Sequence, residues 1–184
     1  MSELCGIDEA GRGPIAGDLV MAGCVLREDI EGLNDSKKLT QKRREALYEK
    51  IVASEAVYHI VKFSASEIDA NGISHCLREG LKEIMTHIEA KEYLFDGNTN
   101  FGVKNLTTMI KADGVVPEVS AASILAKVTH DRDILKLAKA YPEYQLEKHK
   151  GYGTKLHIEM IKKYGYSPIH RKSYKIKALQ PTLF

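Results

Sequence analysis

The sequence predicts a mixed α/β domain, and three observations carry that reading. Continuous apolar runs of strand length crowd the first quarter of the chain. Amphipathic helical periodicity takes over between and after them. A long stretch rich in Ala and Ser then leads into a largely helical C-terminal part. The 184 residues suffice for a single domain over 1–184, since a chain of this size buries about 70% of its unfolded surface.

The elements follow in order. LCGID (4–8) is a short apolar strand, and DLVMAGCVL (18–26) follows it after a Gly-rich turn. GLNDSKKLT (32–40) is a polar loop, and Thr40 caps a helix over 41–53 with Leu47 and Ile51 on one face. The first turn of that helix carries Lys42, Arg43 and Arg44, which oppose the helix dipole and point this end toward an anion. AVYHIVKF (56–63) is another strand. SASE, from Ser64 to Glu67, has capping-box spacing and opens a short helix. From Ile73, apolar residues recur at Leu77, Leu81, Ile84 and Ile88, the pattern of an amphipathic helix. YLF is a short buried strand ending at Asp96, and LTTMI is another, followed shortly by Asp113. The stretch from Glu118 to Tyr141 is a long helix whose small first residues allow close packing, and Pro142 ends it. GYGTKLHIEMIKKYG is a turn plus a helix capped by Thr154 and stopped at Gly165, and the remaining tail is basic and poorly periodic.

Composition narrows the function classes. Hydrophobic content of 43% and charged content of 28% fit a soluble globular protein. The apolar run Leu19–Leu26 is far too short to span a bilayer. No basic, apolar leader precedes Glu3, Asp8 and Glu9, so a cytoplasmic location is expected. Cys5, Cys24 and Cys76 are widely spaced and form no C-x-x-C pair, as expected of small core residues in a reducing compartment. The net charge of +2 is unevenly spread, because residues 144–184 hold nine Lys/Arg against two Asp/Glu. This basic C-terminal helix and tail region (143–184) suits a polyanionic partner, the alternative being a solvated basic face.

Four acids stand out by position. Asp8, Asp96 and Asp113 each lie at or just beyond the end of an expected strand, and Glu9 adjoins Asp8. Carboxylates gathered at one sheet edge repel one another unless cations sit between them. Oxygen ligands with room for water suit Mg²⁺ or Mn²⁺, and two such ions ~4 Å apart form a clamp for phosphodiester hydrolysis. Neighbours on a regular strand point to opposite faces, so Asp8 and Glu9 share a site only if the strand twists or ends there. Gly11 makes a sharp turn possible.

GRGPIA, Gly11–Ala16, also matches the dinucleotide fingerprint G-x-G-x-x-A. That motif requires a helix next, whereas DLVMAGCVL reads as a strand, and Asp8 and Glu9 would repel a pyrophosphate. A dinucleotide oxidoreductase is therefore the weaker alternative, beside a non-catalytic hybrid-binding module that uses the basic C-terminal part.

GIDEAGRGPIAG, GLNDSKKL, LFDGN, AASILAKVTHDRD, HKGYGTKLH and SPIHRKSY occur in the order found in ribonuclease HII, and the resemblance runs from about residue 5 to residue 176. It implies a ribonuclease H-like mixed sheet flanked by helices. It implies an endoribonuclease that cuts the RNA strand of RNA–DNA hybrids and nicks duplex DNA at embedded ribonucleotides, leaving a 5′-phosphate and a 3′-hydroxyl. Two divalent ions, Mg²⁺ or Mn²⁺, are implied on Asp8, Glu9, Asp96 and Asp113. In that scheme Asp8 bridges both ions, Asp113 lies on the nucleophile side, and Glu9 and Asp96 lie on the leaving side. The resemblance places a sugar-reading turn on Gly11, Arg12 and Gly13 and a junction-reading tyrosine on Tyr152. Lys37, Lys148 and Lys150 are candidates for phosphate contacts. Three positions depart from the family pattern: Asp18 replaces a proline, Ala112 a glycine and His130 a common arginine, the last at the expected cost of a phosphate contact. The final QPTLF resembles a bacterial sliding-clamp-binding pentapeptide, with Gln180, Leu183 and Phe184 as its anchors. The alternative is that Leu183 and Phe184 pack on the protein's own core.

Overall fold

The computed structural model describes residues 3–33 and 39–179. Apolar strands and amphipathic helices alternate as β1 (Leu4–Ala10), β2 (Leu19–Val25), α1 (Gln41–Ala53), β3 (Val57–Phe63), α2 (Ala65–Asn71), α3 (Ile73–His87), β4 (Glu92–Asp96) and β5 (Thr107–Met109). Then come α4 (Pro117–Ala140), the single turn α5 (Leu146–His149) and α6 (Lys155–Tyr164). The helix starts follow local chemistry. The hydroxyls of Thr40, Ser64 and Thr154 each accept from the backbone N–H three residues on, and Ser64 with Glu67 forms a complete capping box.

The strands form one mixed sheet in the order β3-β2-β1-β4-β5. β1 lies at its centre, antiparallel to β2 and parallel to β4, and β5 runs parallel to β4 at the edge. The carboxyl ends of β1, β4 and β5 therefore share one side, the usual place for a site in an open α/β sheet. Every residue of β2 is buried, as its unbroken apolar run requires.

Each face of the sheet has its own core. On one, Ile7, Leu19, Met21 and Val61 meet Leu77, Leu81 and Ile84 of α3. On the other, Val20, Ala22 and Cys24 meet Leu47 and Ile51 of α1 and Ala121, Ala122 and Leu125 of α4. The small residues that open α4 are buried, and Gly6 lets the backbone at Glu118 and Val119 lie directly against β1. A third cluster joins Ile15 and Ala16, in the loop after β1, to Ile134, Tyr144, Leu146, Ile161 and Ile169. This last cluster carries the C-terminal part to the end of β1.

Two expectations are corrected. β1 does not stop at Asp8; antiparallel pairing with β2 carries it to Ala10, opposite Val20. The LTTMI segment is no buried strand: among the described residues β5 pairs only with β4, at the sheet edge, and Met109 and Ile110 are 42% and 66% exposed. The three cysteines are free and buried, as expected. No helix among the described residues is long and apolar enough to cross a membrane.

Candidate active site

Parallel pairing of β1 and β4 ends at Ile7 opposite Phe95, so the next residues, Asp8 and Asp96, stand side by side where the ladder opens. Asp113 arrives from the 3-10 turn Ala112–Gly114 after β5. Asp96 holds that turn in place: its Oδ1 accepts from the Lys111 N–H (2.9 Å) and its Oδ2 from the Asp113 N–H (3.2 Å). The Ser120 hydroxyl donates to the Asp113 carbonyl, which ties the turn to the start of α4. One carboxylate oxygen from each of Asp8, Asp96 and Asp113 lies within 4.8 Å of the others.

Glu9 stands slightly apart from these three. By register Asp8 shares a face with Ala22, toward α4, while Glu9 shares the opposite face with Met21. Glu9 still borders the site because β4 no longer covers that flank of β1. Its backbone N–H donates to Asp8 Oδ1 (2.8 Å), its Oε1 lies 3.7 Å from the Arg12 guanidinium, and its buried Oε2 meets no hydrogen-bond partner among the described residues. The two neighbours thus flank the strand at its open rim without any break in it at Asp8. The turn comes after Ala10, where Gly11 has φ +85°; a Cβ there would lie 2.5 Å from the Asp18 carbonyl oxygen and 2.6 Å from the His130 ring.

The electrostatics of the cluster are unfavourable without a cation. Burial, reinforced by the neighbouring Glu9 charge, pushes the Asp8 carboxyl well above the usual carboxylate range. Burial pushes Glu9 up to about 7, with Arg12 opposing the shift and Asp96 adding to it. Burial and Asp113 raise Asp96.

A cleft of about 350 Å³ opens beside these acids. Its lining combines Glu9 and Asp113, the Gly11–Arg12–Gly13 turn, Tyr152, Arg44, Ser123 and Lys127. The Tyr152 ring stands against Gly13, where a Cβ would lie 3.3 Å from its Cε1, and Tyr152 is 46% exposed. Arg44, in the basic first turn of α1, lines the cleft. Lys148 and Lys150 do not line this cleft, and the Lys148 ammonium donates to Gln145 Oε1 (2.6 Å). Lys37, Gln180, Leu183 and Phe184 lie outside the described residues.

Several residues of the site were not named from sequence. Ser123, on α4, lines the cleft and opposes the upward shift of the Asp8 carboxyl. Lys127, one turn further on, lines the cleft and pairs with Asp131 at 3.0 Å. Arg171 is fully buried beneath the turn, donating to the carbonyls of Gly17 (3.0 Å) and Arg12 (3.2 Å), and the Tyr174 hydroxyl also donates to Arg12 O (2.8 Å). The one signal available for these was position: Ser123 and Lys127 are spaced i, i+4 on one helix, and Arg171 and Tyr174 sit within SPIHRKSY.

The departures resolve differently. His130 is 2% exposed and packs under the Gly11 turn, so this position supports the turn and does not present a side chain to phosphate. Asp18 has Asp133, Lys62, Arg171 and Glu67 as its electrostatic neighbours. Ala112 is buried in the turn that carries Asp113. The dinucleotide alternative fails on the fold: the chain runs from the Gly-rich turn into β2, so no helix N-terminus follows to receive a pyrophosphate.

Comparisons with known proteins agree with this architecture. The Ribonuclease HII family model matches residues 5–177. A ribonuclease HII from Sulfurovum sp. (strain NBC37-1) is 64% identical, over 98% of this chain and 96% of that protein. Ribonuclease HII from Archaeoglobus fulgidus, solved in a complex with PCNA, superposes with a TM-score of 0.81 at 29% identity, covering 98% of each chain. Ribonuclease H2 from Pyrococcus horikoshii OT3 superposes with a TM-score of 0.74 at 31% identity, over 94% of this chain and 93% of that one. The sheet order, the acids at its open rim and these matches together place the chain in the ribonuclease HII family, the metal-dependent endoribonucleases that cleave RNA in RNA–DNA hybrids.

Proposed function

We propose that Asp8, Glu9, Asp96 and Asp113 are the metal-binding, catalytic acids of this enzyme. The observation that carries the reading is the convergence of three buried or half-buried carboxylates within 4.8 Å, with the unpartnered Glu9 Oε2 at their edge. An all-oxygen set in which Asp8, Glu9 and Asp96 are pushed toward protonation suits hard divalent cations, Mg²⁺ or Mn²⁺, and its four carboxylates would hold two of them. Such ions lower the pKa of a water and neutralise charge on the reacting phosphate.

The remaining work falls to this chain's own groups. The Glu9 N–H orients the Asp8 carboxylate, and Ser123 favours its charged form. Asp96 sets the position of Asp113 through its two backbone bonds. Arg12, Arg44 and Lys127 place positive charge around the cleft, where phosphates of a hybrid would lie. The Gly11–Gly13 backbone can approach a sugar closely, which suits recognition of a 2′-hydroxyl, the group that separates RNA from DNA. Tyr152 presents a flat ring beside Gly13 for the neighbouring sugar.

The enzyme in this reading nicks a DNA duplex at an embedded ribonucleotide as well as cutting long hybrids, leaving 3′-hydroxyl and 5′-phosphate ends. The test is a duplex with one ribonucleotide, cut by wild-type protein and by Tyr152→Ala. Nicking by the wild type, reduced about tenfold or more in Tyr152→Ala while long hybrids are cut nearly as before, supports the assignment; equal loss on both substrates removes the junction role. A sliding-clamp partner is part of the proposal, supported by the QPTLF ending and by the PCNA complex of the Archaeoglobus relative. Deleting residues 180–184 should abolish clamp binding and leave hybrid cleavage intact.

A further inference from the structure

We propose that His59, Glu83 and His87 form a second metal site, for a borderline transition ion such as zinc, nickel, cobalt or copper. One ligand atom from each lies within 4.8 Å of the others. Glu83 and His87 are one turn apart on α3 and so share a face, and His59 meets them from β3, the edge strand at the far side of β2 from β1. His59 Nε2 lies 3.1 Å from Glu83 Oε1, an N–H···carboxylate bond whose proton an incoming cation would displace.

The hydrogen bonding of His87 supports a ligand role. Its Nδ1 lies 2.8 Å from the Glu83 carbonyl oxygen. A carbonyl only accepts, so Nδ1 carries the ring proton and the Nε2 lone pair is left for a cation. A backbone carbonyl that fixes the tautomer in this way is the usual support of a metal-ligating histidine. The His59 and His87 rings are stacked at 4.1 Å with 3° between their planes. Both can ligate one ion once the rings turn out of parallel, a side-chain rotation that the exposed position of His87 permits.

The donor set separates this site from the acid cluster. Two imidazoles and one carboxylate prefer zinc, nickel, cobalt or copper, whereas the all-carboxylate cluster prefers magnesium or manganese. An ion on His59, Glu83 and His87 would clip the outer strand to α3, bracing an edge on which Val57 and Tyr58 are 40% and 37% exposed.

The experiment is calorimetric titration of tag-free, full-length protein with Zn²⁺ and with Ni²⁺ in excess Mg²⁺. The expected result is one equivalent bound by wild type, at least tenfold weaker in His59→Gln and in His87→Gln, and retained in Asp8→Asn. Ni²⁺ should raise the unfolding temperature of wild type and leave that of His87→Gln unchanged, while Mg²⁺-dependent hybrid cleavage is the same in both. No equivalent bound by wild type, undiminished binding by both histidine variants, or loss of the equivalent in Asp8→Asn would overturn the proposal.

Discussion

Asp8 is only 9% exposed and shares its surroundings with Glu9 and Asp96, so it is held against its own electrostatics. Asn at this position keeps the shape and removes the repulsion. In metal-free protein, Asp8→Asn should raise stability by about 1–2 kcal/mol in urea unfolding, while hybrid cleavage drops by roughly a thousandfold or more. Glu9 adds a pH dependence. Its carboxyl sits at about 7 in the folded protein against an ordinary 4.5. Between those values the folded protein holds a proton that the unfolded chain has released. Glu9 therefore favours folding below the window, and stability falls as pH rises through it, by on the order of 3 kcal/mol. The urea midpoint of metal-free wild type relative to Glu9→Gln should fall between pH 5 and pH 7.5, and Mg²⁺ at pH 7.5 should recover it. The positions of Asp8, Asp96 and Asp113 were legible in the sequence because each follows an apolar run. Their helpers Ser123 and Lys127 were not, because nothing local to α4 says which sheet edge its outer face will meet.

At the scale of elements, the C-terminal part steadies the Gly-rich turn and Tyr152 through a chain of bonds whose protons can be placed. The Ser167 N–H donates to His170 Nδ1 (3.0 Å), so the His170 proton sits on Nε2 and is donated to His157 Nε2 (3.1 Å). His157 then carries its proton on Nδ1 and donates to the Tyr152 carbonyl (3.0 Å). Both rings must be neutral for this chain to exist. Burial pushes His157 down to about 4 and lowers His170 and His149 as well. The unfolded chain takes up protons first, so this stabilisation is complete above about 6.5 and lost as pH falls toward 4. Thermal unfolding of Glu9→Gln between pH 7 and pH 4.5, where the opposing Glu9 titration is absent, should show the loss, and adding His157→Asn should reduce its steepness. Arg171→Lys keeps the charge but loses the fork that holds the Gly17 and Arg12 carbonyls. It should cost about 2–3 kcal/mol and raise KM for hybrid more than it lowers kcat. The capped helices were legible because caps are local, three-residue signals. The continuation of β1 through Asp8 and Glu9 was not, since two acids in a central strand read as its end, and only pairing with β2 carries it on.

The whole molecule sets a basic, helical C-terminal part against a sheet whose open rim is acidic. The two meet where Tyr152 stands against Gly13, so one cleft holds the acids and the cations Arg12, Arg44 and Lys127. A polyanion bound across this boundary releases counterions, and affinity for hybrid should fall steeply, at least tenfold, between 50 and 200 mM salt; a flat salt response would exclude the cleft as the binding groove. The meeting of the two parts was the least legible feature, because it rests on the third core and on Arg171, which link residues more than 150 positions apart. The measurement that bears most directly on the account is cleavage of an RNA–DNA hybrid by wild type and Asp8→Asn as Mg²⁺ or Mn²⁺ is titrated from zero. The account predicts no cleavage without metal, saturable cleavage by wild type, and essentially none by a folded Asp8→Asn at any metal concentration. Near-normal cleavage by that variant, or cleavage by wild type in excess chelator, would contradict it.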